Sequence, residues 1–365
     1  TLAAVLAQAT PGDTLLLHAG LYAVPQTLVI AKPRLVFRPA GDGEVILEGP
    51  DHSTDLVDLQ QANDLWFENL TFRRARHALL AGRKNGPGAS GLVVRRCRIE
   101  DVVYGITSTS EHSENWYVAD NVITGINPAW YPRPDDTYMA PGHTGVNAYG
   151  RGHVVAYNRI SRFGDGMALA NFGIPPEDPA LQPVAVDFHH NEIFQTKDDC
   201  IETDYGAHNI RVYRNRCYSS HTGLSVQPFY GGPVYLIGNE VYGVTALTFK
   251  LHNFCAGIVA WHNTVASART GFQSFNRWQN GQFRNNLFLG GEPAGDRAAY
   301  AMDTGTITPY STLDYDGFRR NMPGDLIRWY DGAKVALFPS LAAFTAATGH
   351  EKHGILVDYD IFQRA

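Results

Sequence analysis

The sequence repeats a short apolar motif that carries an asparagine near its centre, as in VADNVI, VAYNRI, FHHNEI, VYRNRC and LIGNEV. The repeated asparagines are Asn69, Asn121, Asn158, Asn191, Asn215, Asn239, Asn263 and Asn286, and Cys97 takes the same place between the first two. From Asn191 onward the steps are 24, 24, 24 and 23 residues. A period of this length with strand-like content predicts a solenoid.

Helical repeats are longer and follow a 3.6-residue period, and the leucine-rich pattern is absent, so we predict an all-β fold, a right-handed parallel β-helix. Because its coils stack about 4.8 Å apart, equivalent positions become vertical neighbours, and the asparagines hydrogen-bond from coil to coil. We expect a single domain. Residues 1–13 form an N-terminal cap with an amphipathic helix, 14–290 form the coils, and 291–365, where the period is lost, form an irregular C-terminal cap.

Composition excludes several classes of protein. Hydrophobic residues make up 44% and charged residues 18% of the chain, which excludes a disordered chain or a coiled coil. A net charge of -6 gives no reason to expect nucleic acid, and no apolar stretch approaches the roughly 18 residues of a membrane span. The four cysteines lack CxxC spacing and are expected to be buried thiols. We expect a monomer without a nucleic-acid or membrane partner.

The repeat also serves as a ruler for charged residues. Asp165 and Asp198 each lie seven residues after a repeated asparagine, so we expect them to be vertical neighbours, and Asp199 and Glu202 follow on the strand of Asp198. Carboxylates gathered in this way must raise their pKa values or share a cation. Hard oxygen ligands at this density favour Ca²⁺, with Asp165, Asp198, Asp199 and Glu202 as its ligands.

A lysine and a histidine fall beside this group. Lys250 and Glu202 each lie eleven residues after a repeated asparagine, so Lys250 is expected on the same face, two coils further along. His221 lies on the coil between them. A metal-binding protein with a purely structural calcium site has no need of a lysine and a histidine in these places, so both are candidate catalytic residues.

Over roughly residues 10–290 the coil pattern resembles the pectate lyase-like β-helix superfamily. Gly164-Asp165-Gly166, followed one coil later by Asp198-Asp199-x-x-Glu202, is similar to the calcium site of family-nine pectate lyases, which have an aspartate where this chain has Glu202. A downstream lysine is the base in that family, and Lys250 matches it. The resemblance implies a secreted or periplasmic enzyme that cleaves an acidic, uronate-containing polysaccharide or oligosaccharide by calcium-assisted β-elimination.

β-Elimination removes the C5 proton of a uronate, which becomes more acidic when a cation neutralises the adjacent carboxylate. Lysine can accept that proton only if its pKa is lowered, and a nearby divalent cation has this effect. Three residues are candidate substrate contacts. His252 lies beside the lysine, Arg277 offers a bidentate partner for a carboxylate, and Trp130 lies in an insertion rich in proline and aromatic residues.

Other functions remain open. Asp165, Asp198, Asp199 and His221 also resemble the catalytic group of polygalacturonases, which are inverting hydrolases, although the Arg-x-Lys strand of that family is missing. A non-catalytic, glycan-binding surface β-helix is a further alternative. A C5-epimerase would use the same proton abstraction, but the chain has no Asp-Pro-His-Asp segment of the kind found in alginate epimerases.

Overall fold

The structure is a computed structural model that describes residues 2–60, 62–128, 142–226, 230–274, 277–293, 295, 298–306 and 310–362. Its helices are Leu2–Gln8 (α1), Leu341–Thr348 (α2) and the 3-10 turn Tyr359–Ile361. Helix α2 begins at Ser340, whose side chain accepts the Ala343 N–H, and it ends at Gly349, which has a φ of 77°. Leu6 of α1 is buried in the hydrophobic core, so this helix covers the first coil.

The strands are short and follow one another around each coil. The first twelve are Thr14–Leu17 (β1), Gly20–Ala23 (β2), Leu28–Val29 (β3), Val36–Pro39 (β4), Val45–Glu48 (β5), Val57–Asp58 (β6), Trp66–Glu68 (β7), Thr71–Gly82 (β8), Val93–Arg95 (β9), Arg98–Ser108 (β10), Tyr117–Ala119 (β11) and Val122–Gly125 (β12). The next twelve are Thr144–Ala148 (β13), Val154–Ala156 (β14), Arg159–Ser161 (β15), Asp165–Ala168 (β16), Val184–His189 (β17), Glu192–Phe194 (β18), Asp199–Glu202 (β19), His208–Tyr213 (β20), Arg216–Tyr218 (β21), Thr222–Val226 (β22), Val234–Ile237 (β23) and Glu240–Val244 (β24). The last twelve are Phe249–Leu251 (β25), Ala256–Trp261 (β26), Thr264–Ser267 (β27), Phe272–Gln273 (β28), Gln279–Arg284 (β29), Leu287–Leu289 (β30), Met302–Gly305 (β31), Thr312–Asp314 (β32), Gly317–Phe318 (β33), Ile327–Tyr330 (β34), Val335–Phe338 (β35) and Ile355–Leu356 (β36).

One strand from each coil joins a parallel sheet of twelve strands, in the order β1-β4-β7-β9-β11-β14-β17-β20-β23-β26-β29-β32. The other faces are also parallel: β10, β13, β16, β19, β22 and β25 pair in succession, as do β12, β15, β18, β21, β24 and β27. The predicted fold class, an all-β parallel β-helix, is therefore confirmed.

The interior of the solenoid is filled by stacked apolar side chains. Positions in register on successive coils form a column that is buried throughout, consisting of Leu79, Ile106, Val146, Met167, Ile201, Leu224 and Phe249. All four cysteines are free and buried, as predicted. No helix in the described part of the chain has the length and apolar character needed to cross a membrane.

The asparagines form a continuous hydrogen-bond ladder. Each backbone N–H from Asn121 to Asn263 donates to the side-chain oxygen of the next asparagine at 2.9–3.1 Å, and each side-chain amide also donates to a carbonyl of an earlier coil. Asn69 is an exception. It has a left-handed backbone, with a φ of 55°, and lies one residue before the ladder position. Leu70 occupies the ladder position, as shown by its carbonyl, which accepts the Arg98 N–H just as the Asn121 carbonyl accepts the Arg159 N–H.

The coils continue past residue 290, where the sequence period stops. Strands β32 and β33 pair in parallel with β29 and β30, and Asp316 accepts the N–H of Asn286 at 2.7 Å. The period is hidden here because this step is 30 residues long and ends on an aspartate instead of an asparagine. A separate sheet of β28, β31, β34 and β35, together with helix α2, completes the C-terminal part.

Candidate functional site

Lys250 lies in a column of residues that face outward next to the buried column. In register from coil to coil these residues are Leu80, Thr107, Asn147, Ala168, Glu202, Ser225 and Lys250. Glu202 and Lys250 are therefore level with each other two coils apart, as the spacing from the repeated asparagines predicts. Parallel pairing without an intervening bulge carries this alignment from β19 to β25.

The predicted alignment of Asp165 with Asp198 is wrong by one residue. Met167 pairs with Ile201, which places Asp165 opposite Asp199. The Asp199 N–H accordingly donates to Asp165 Oδ1 at 3.1 Å. The difference arises because the later coil inserts one more residue between its asparagine and its outward strand. Asp165 and Asp198 remain close in space, one residue apart in register.

Five carboxylates gather here, and we call them the acidic cluster: Asp165, Asp198, Asp199, Glu202 and Asp204. Asp165, Asp198 and Asp199 each offer an oxygen within 4.8 Å of the others, and Asp199, Glu202 and Asp204 do the same. Asp199 belongs to both groups. Sequence reasoning left Asp204 out of the ligand set, although its even spacing from Asp198 on one strand was the available signal.

The residues fit a hard divalent cation. Three oxygens of the cluster, Asp199 Oδ1, Glu202 Oε2 and Asp204 Oδ2, are buried and find no hydrogen-bond partner among the described residues. A buried carboxylate oxygen without a partner is costly unless a cation or a proton satisfies it. Carboxylate oxygens are the ligands that Ca²⁺ prefers, so the donor set agrees with the predicted cofactor.

Lys250 is tied to this cluster by an ion pair. Its Nζ donates to Asp199 Oδ2 at 2.7 Å, and the side chains are only 13% and 1% exposed, respectively. The Ser225 hydroxyl, between the two coils, donates to Asp204 Oδ1 at 2.6 Å. The lysine therefore compensates part of the negative charge of the five carboxylates.

Burial and mutual repulsion raise the pKa values of the acids. Burial, followed by the charge of Asp198, raises the pKa of Asp199 to about 7 despite the opposing effect of Lys250. Burial and neighbouring carboxylates also raise the pKa values of Asp165, Glu202 and Asp204 well above their ordinary range. Without a cation, the cluster therefore holds protons near neutral pH.

The basic groups respond to the same surroundings. Burial lowers the pKa of Lys250, but the carboxylates of Asp199, Asp204 and Asp198 outweigh it, so its pKa lies above the ordinary value and the side chain is an ammonium. Burial and the charge of Lys250 lower the pKa of His252 to about 4, so this imidazole is neutral at pH 7. His252 thus lies beside the lysine as a neutral, half-buried ring.

The remaining predicted site residues are less closely gathered. His221 lies one coil beyond Asp198, and its Nδ1 is 3.2 Å from Thr222 Oγ1. Arg277 donates to the Gly332 carbonyl at 2.8 Å, and its guanidinium lies over the rings of Phe254 and Tyr330, at the edge of a separate cavity of about 340 Å³. Trp130 lies outside the described residues.

A second cavity, of about 390 Å³, lies directly against the acidic cluster. Its wall includes Asp165, Asp198 and Glu202 from the cluster and, from earlier coils, Arg76 and His143. Sequence reasoning missed these earlier-coil residues. His143 could not be placed by counting from the asparagines, because an insertion separates it from the preceding repeat.

Comparison with known proteins adds evidence on the fold. No protein-family model and no curated protein sequence matches the chain. Among solved structures, the chain is similar to the A-module of the mannuronan C-5 epimerase AlgE6 from Azotobacter vinelandii, with a TM-score of 0.55 and 14% identity over 84% of this chain and 90% of that one. It is also similar to the PL6 family alginate lyase AlyGC, with a TM-score of 0.53 and 13% identity over 91% of this chain.

A third similar structure is the catalytic unit of a GH87 α-1,3-glucanase from Streptomyces thermodiastaticus, with a TM-score of 0.51 and 12% identity over 90% of this chain. The chain spans 57% of the glucanase and 48% of the alginate lyase. At such identities the likeness shows the fold alone. The narrower resemblance to family-nine pectate lyases is not confirmed by these structures.

Proposed function

We propose that this protein is a polysaccharide lyase that cleaves a uronate-containing polysaccharide by calcium-assisted β-elimination and acts outside the cytoplasm, secreted or periplasmic. The observation that carries the proposal is the acidic cluster, which is bound to Lys250 through Asp199 and has Asp165, Asp198 and Glu202 in the wall of an open cavity. Similar folds in an alginate lyase and a mannuronan C-5 epimerase support an enzyme that acts on an acidic polysaccharide.

The acidic cluster would hold the calcium ion, with Asp165, Asp198, Asp199 and Glu202 as ligands and Asp204 beside them. Bound calcium would neutralise the carboxylate of a uronate and make its C5 proton more acidic. The orphaned oxygens of Asp199 and Glu202 support this assignment, because both are buried and belong to residues of the acidic cluster.

Lys250 is the proposed base, and its ion pair defines the condition under which it can act. While it is bound to Asp199, its pKa is raised and it cannot accept a proton. Lys250 becomes a base only when the Asp199 carboxylate binds the cation instead of the lysine, because the negative charge that holds the lysine proton is then reduced. His221, one coil beyond Asp198, is the second catalytic candidate, and His252 and Arg277 are proposed substrate contacts.

The test measures products from a panel of mannuronate, guluronate and galacturonate polymers, with calcium and with a chelator. A lyase produces a C4–C5 double bond, which is visible as new ultraviolet absorbance. Lys250→Ala and Lys250→Arg are expected to lose nearly all turnover, because neither side chain can accept the C5 proton near neutral pH. Lys334→Ala is the matched control, since this lysine is exposed and lies in the C-terminal part.

Three results would contradict the proposal of a lyase with a lysine base. Full turnover by Lys250→Arg would exclude a lysine base. A changed C5 configuration without chain cleavage would identify an epimerase. Binding of a polymer without any turnover would identify a non-catalytic glycan-binding protein.

A second candidate function is an inverting hydrolase that uses Asp165, Asp198 and Asp199. The observation in its favour is that the pKa of Asp199 is raised to about 7 by burial and by Asp198, which suits a general acid. Saturated products with inverted anomeric configuration would select it. In that case Asp198→Asn would abolish turnover, whereas Lys250→Ala would mainly weaken substrate binding.

A further inference from the structure

Three rings stack on one another beside the acidic cluster. The rings of His77 and Tyr104 are 4.3 Å apart with an interplanar angle of 12°, and those of Tyr104 and His143 are 4.9 Å apart with an angle of 5°. These separations match the spacing of successive coils, so the ring planes lie across the solenoid axis. Tyr104 therefore covers one face of the His143 ring, and the other face is turned toward the next coil.

That next coil has no side chain opposite His143. Thr144 pairs with Asp165, which places Gly164 opposite His143, and Met167 pairs with Ile201, which places Gly164 opposite Asp198. A Cβ on Gly164 would lie 2.9 Å from the His143 carbonyl oxygen, so the backbone leaves no room for one. The column thus has a gap of one residue between an imidazole face and a carboxylate.

The gap is wide enough for one sugar ring. Two coil spacings separate His143 from Asp198, which is roughly 9–10 Å. A ring in van der Waals contact on both faces at about 3.5–4 Å needs roughly 7–8 Å between the two groups, so one ring fits within this space. His143 is exposed, and the cavity of about 390 Å³ includes His143, Gly164 and Asp198 in its wall. The gap is therefore open to a ligand.

We propose that Gly164 and His143 form a sugar-binding subsite in which one uronate residue stacks on the open face of the His143 ring. This subsite rests on the proposed function, because it supposes a uronate polymer in the cavity. Aromatic faces bind the C–H surface of a sugar ring in this way, and the stack of His77 and Tyr104 supports the opposite face of the His143 ring. The imidazole needs no charge for this contact.

Two observations fit the chemistry of the ligand. Burial, Arg76 and His77 lower the pKa of His143, which keeps the ring neutral at pH 7. Arg76 is exposed in the same cavity and forms no ion pair with another described residue, whereas the nearby Arg83 is paired with Asp55. Arg76 is therefore the cation available to a uronate carboxylate on this side of the cluster.

The experiment compares His143→Phe, which keeps an aromatic face, with His143→Gln, which keeps only polar atoms. Binding of mannuronate, guluronate and galacturonate tetramers is measured by calorimetry, and KM and kcat are measured on the polymers. We expect His143→Gln to raise Kd and KM about tenfold with little change in kcat, and His143→Phe to stay within about threefold of the wild type. His190→Gln is the control, because His190 stacks on Tyr157 away from this cavity.

Each other outcome overturns the subsite. If the wild type binds or cleaves a uronate polymer but His143→Gln is unchanged, the stacking subsite is wrong and the proposed function stands. If His143→Gln binds normally and His143→Phe does not, a polar contact replaces the stacking contact. If the wild type neither binds nor cleaves any of the polymers, the proposed function and the subsite fail together. Melting midpoints of all variants establish that each is folded, as expected for an exposed position.

Discussion

Removing the charge of Lys250 should destabilise the protein strongly when no divalent cation is present. The side chain of Asp199 is 1% exposed and its Oδ2 is bound to the lysine at 2.7 Å, so Lys250→Met leaves a buried carboxylate without its cation. Loss of one partner from such a pair typically costs about 3–5 kcal/mol. We expect a loss of this size in the free energy of unfolding at pH 8.

The loss should shrink as the pH falls. The folded-state pKa of Asp199 is already about 7, above its ordinary value, and it rises further without the lysine. A carboxyl with a raised pKa binds more protons in the folded than in the unfolded state, so its unfavourable effect grows as pH rises through that window and disappears below about pH 4. At pH 5 the carboxyl can take up a proton, and Lys250→Met should be much less destabilised.

The assay is urea unfolding of the wild type, Lys250→Met, Asp199→Asn and the double variant at pH 5 and pH 8, in the presence of a chelator. Asp199→Asn should restore most of the stability that Lys250→Met loses at pH 8, because the uncompensated charge is gone. Lys334→Met is the control for removing an exposed lysine. A Lys250→Met variant that is no less stable than Lys334→Met at pH 8 would refute the reasoning.

Two further predictions concern stability. Calcium should raise the melting midpoint of the wild type in proportion to the logarithm of its concentration above Kd, and Glu202→Gln should weaken this response in scanning calorimetry. A midpoint that responds to neither calcium nor chelator would contradict the proposed metal site. Burial and Asp316 raise the pKa of Glu351 to about 10, so its carboxyl disfavours folding increasingly as the pH rises above about 4.5. Glu351→Gln should therefore raise the melting midpoint at pH 8 relative to Glu292→Gln, which changes an exposed glutamate, and equal midpoints would contradict this.

The sequence predicted the coils because their repeat is nearly constant, and every interior coil must satisfy its ladder asparagine in the same way. The same ruler placed Glu202 level with Lys250, since the steps from Asn191 to Asn239 are both 24 residues. It misaligned Asp165 by one residue, because one additional residue in a turn changes the register without changing the motif. The pattern of hydrophobic residues is the same with or without such an additional turn residue.

Other parts of the site depend on tertiary contacts that no local pattern encodes. The Lys250–Asp199 ion pair reaches across two coils, and its effect on the lysine pKa is opposite to the lowering that a base requires. The stack that ends at His143 was also beyond sequence reasoning, since its members are spaced irregularly along the chain. Spacing located the charged residues, whereas their protonation is set by burial and by partners in space.

The ladder has a direction, and this direction determines where a further coil can be inserted without loss of hydrogen bonds. The side chain of an interior asparagine both accepts from the preceding coil and donates to an earlier carbonyl, but the carboxylate of Asp316 can only accept, so the series of side-chain amide donors ends there. Glu351, which belongs to the C-terminal part, then accepts the backbone N–H of Asp316 at a distance of 3.3 Å. Duplicating an interior segment such as residues 215–238 would therefore extend the ladder with the same donors and acceptors, whereas the strand that follows Asp316, β33, pairs with β36, and there the carboxylate of Glu351 takes the place of a side-chain amide. A repeat inserted before Asp316 keeps the amide ladder, whereas a repeat inserted after it would have only the backbone N–H of Asp316 to bond to.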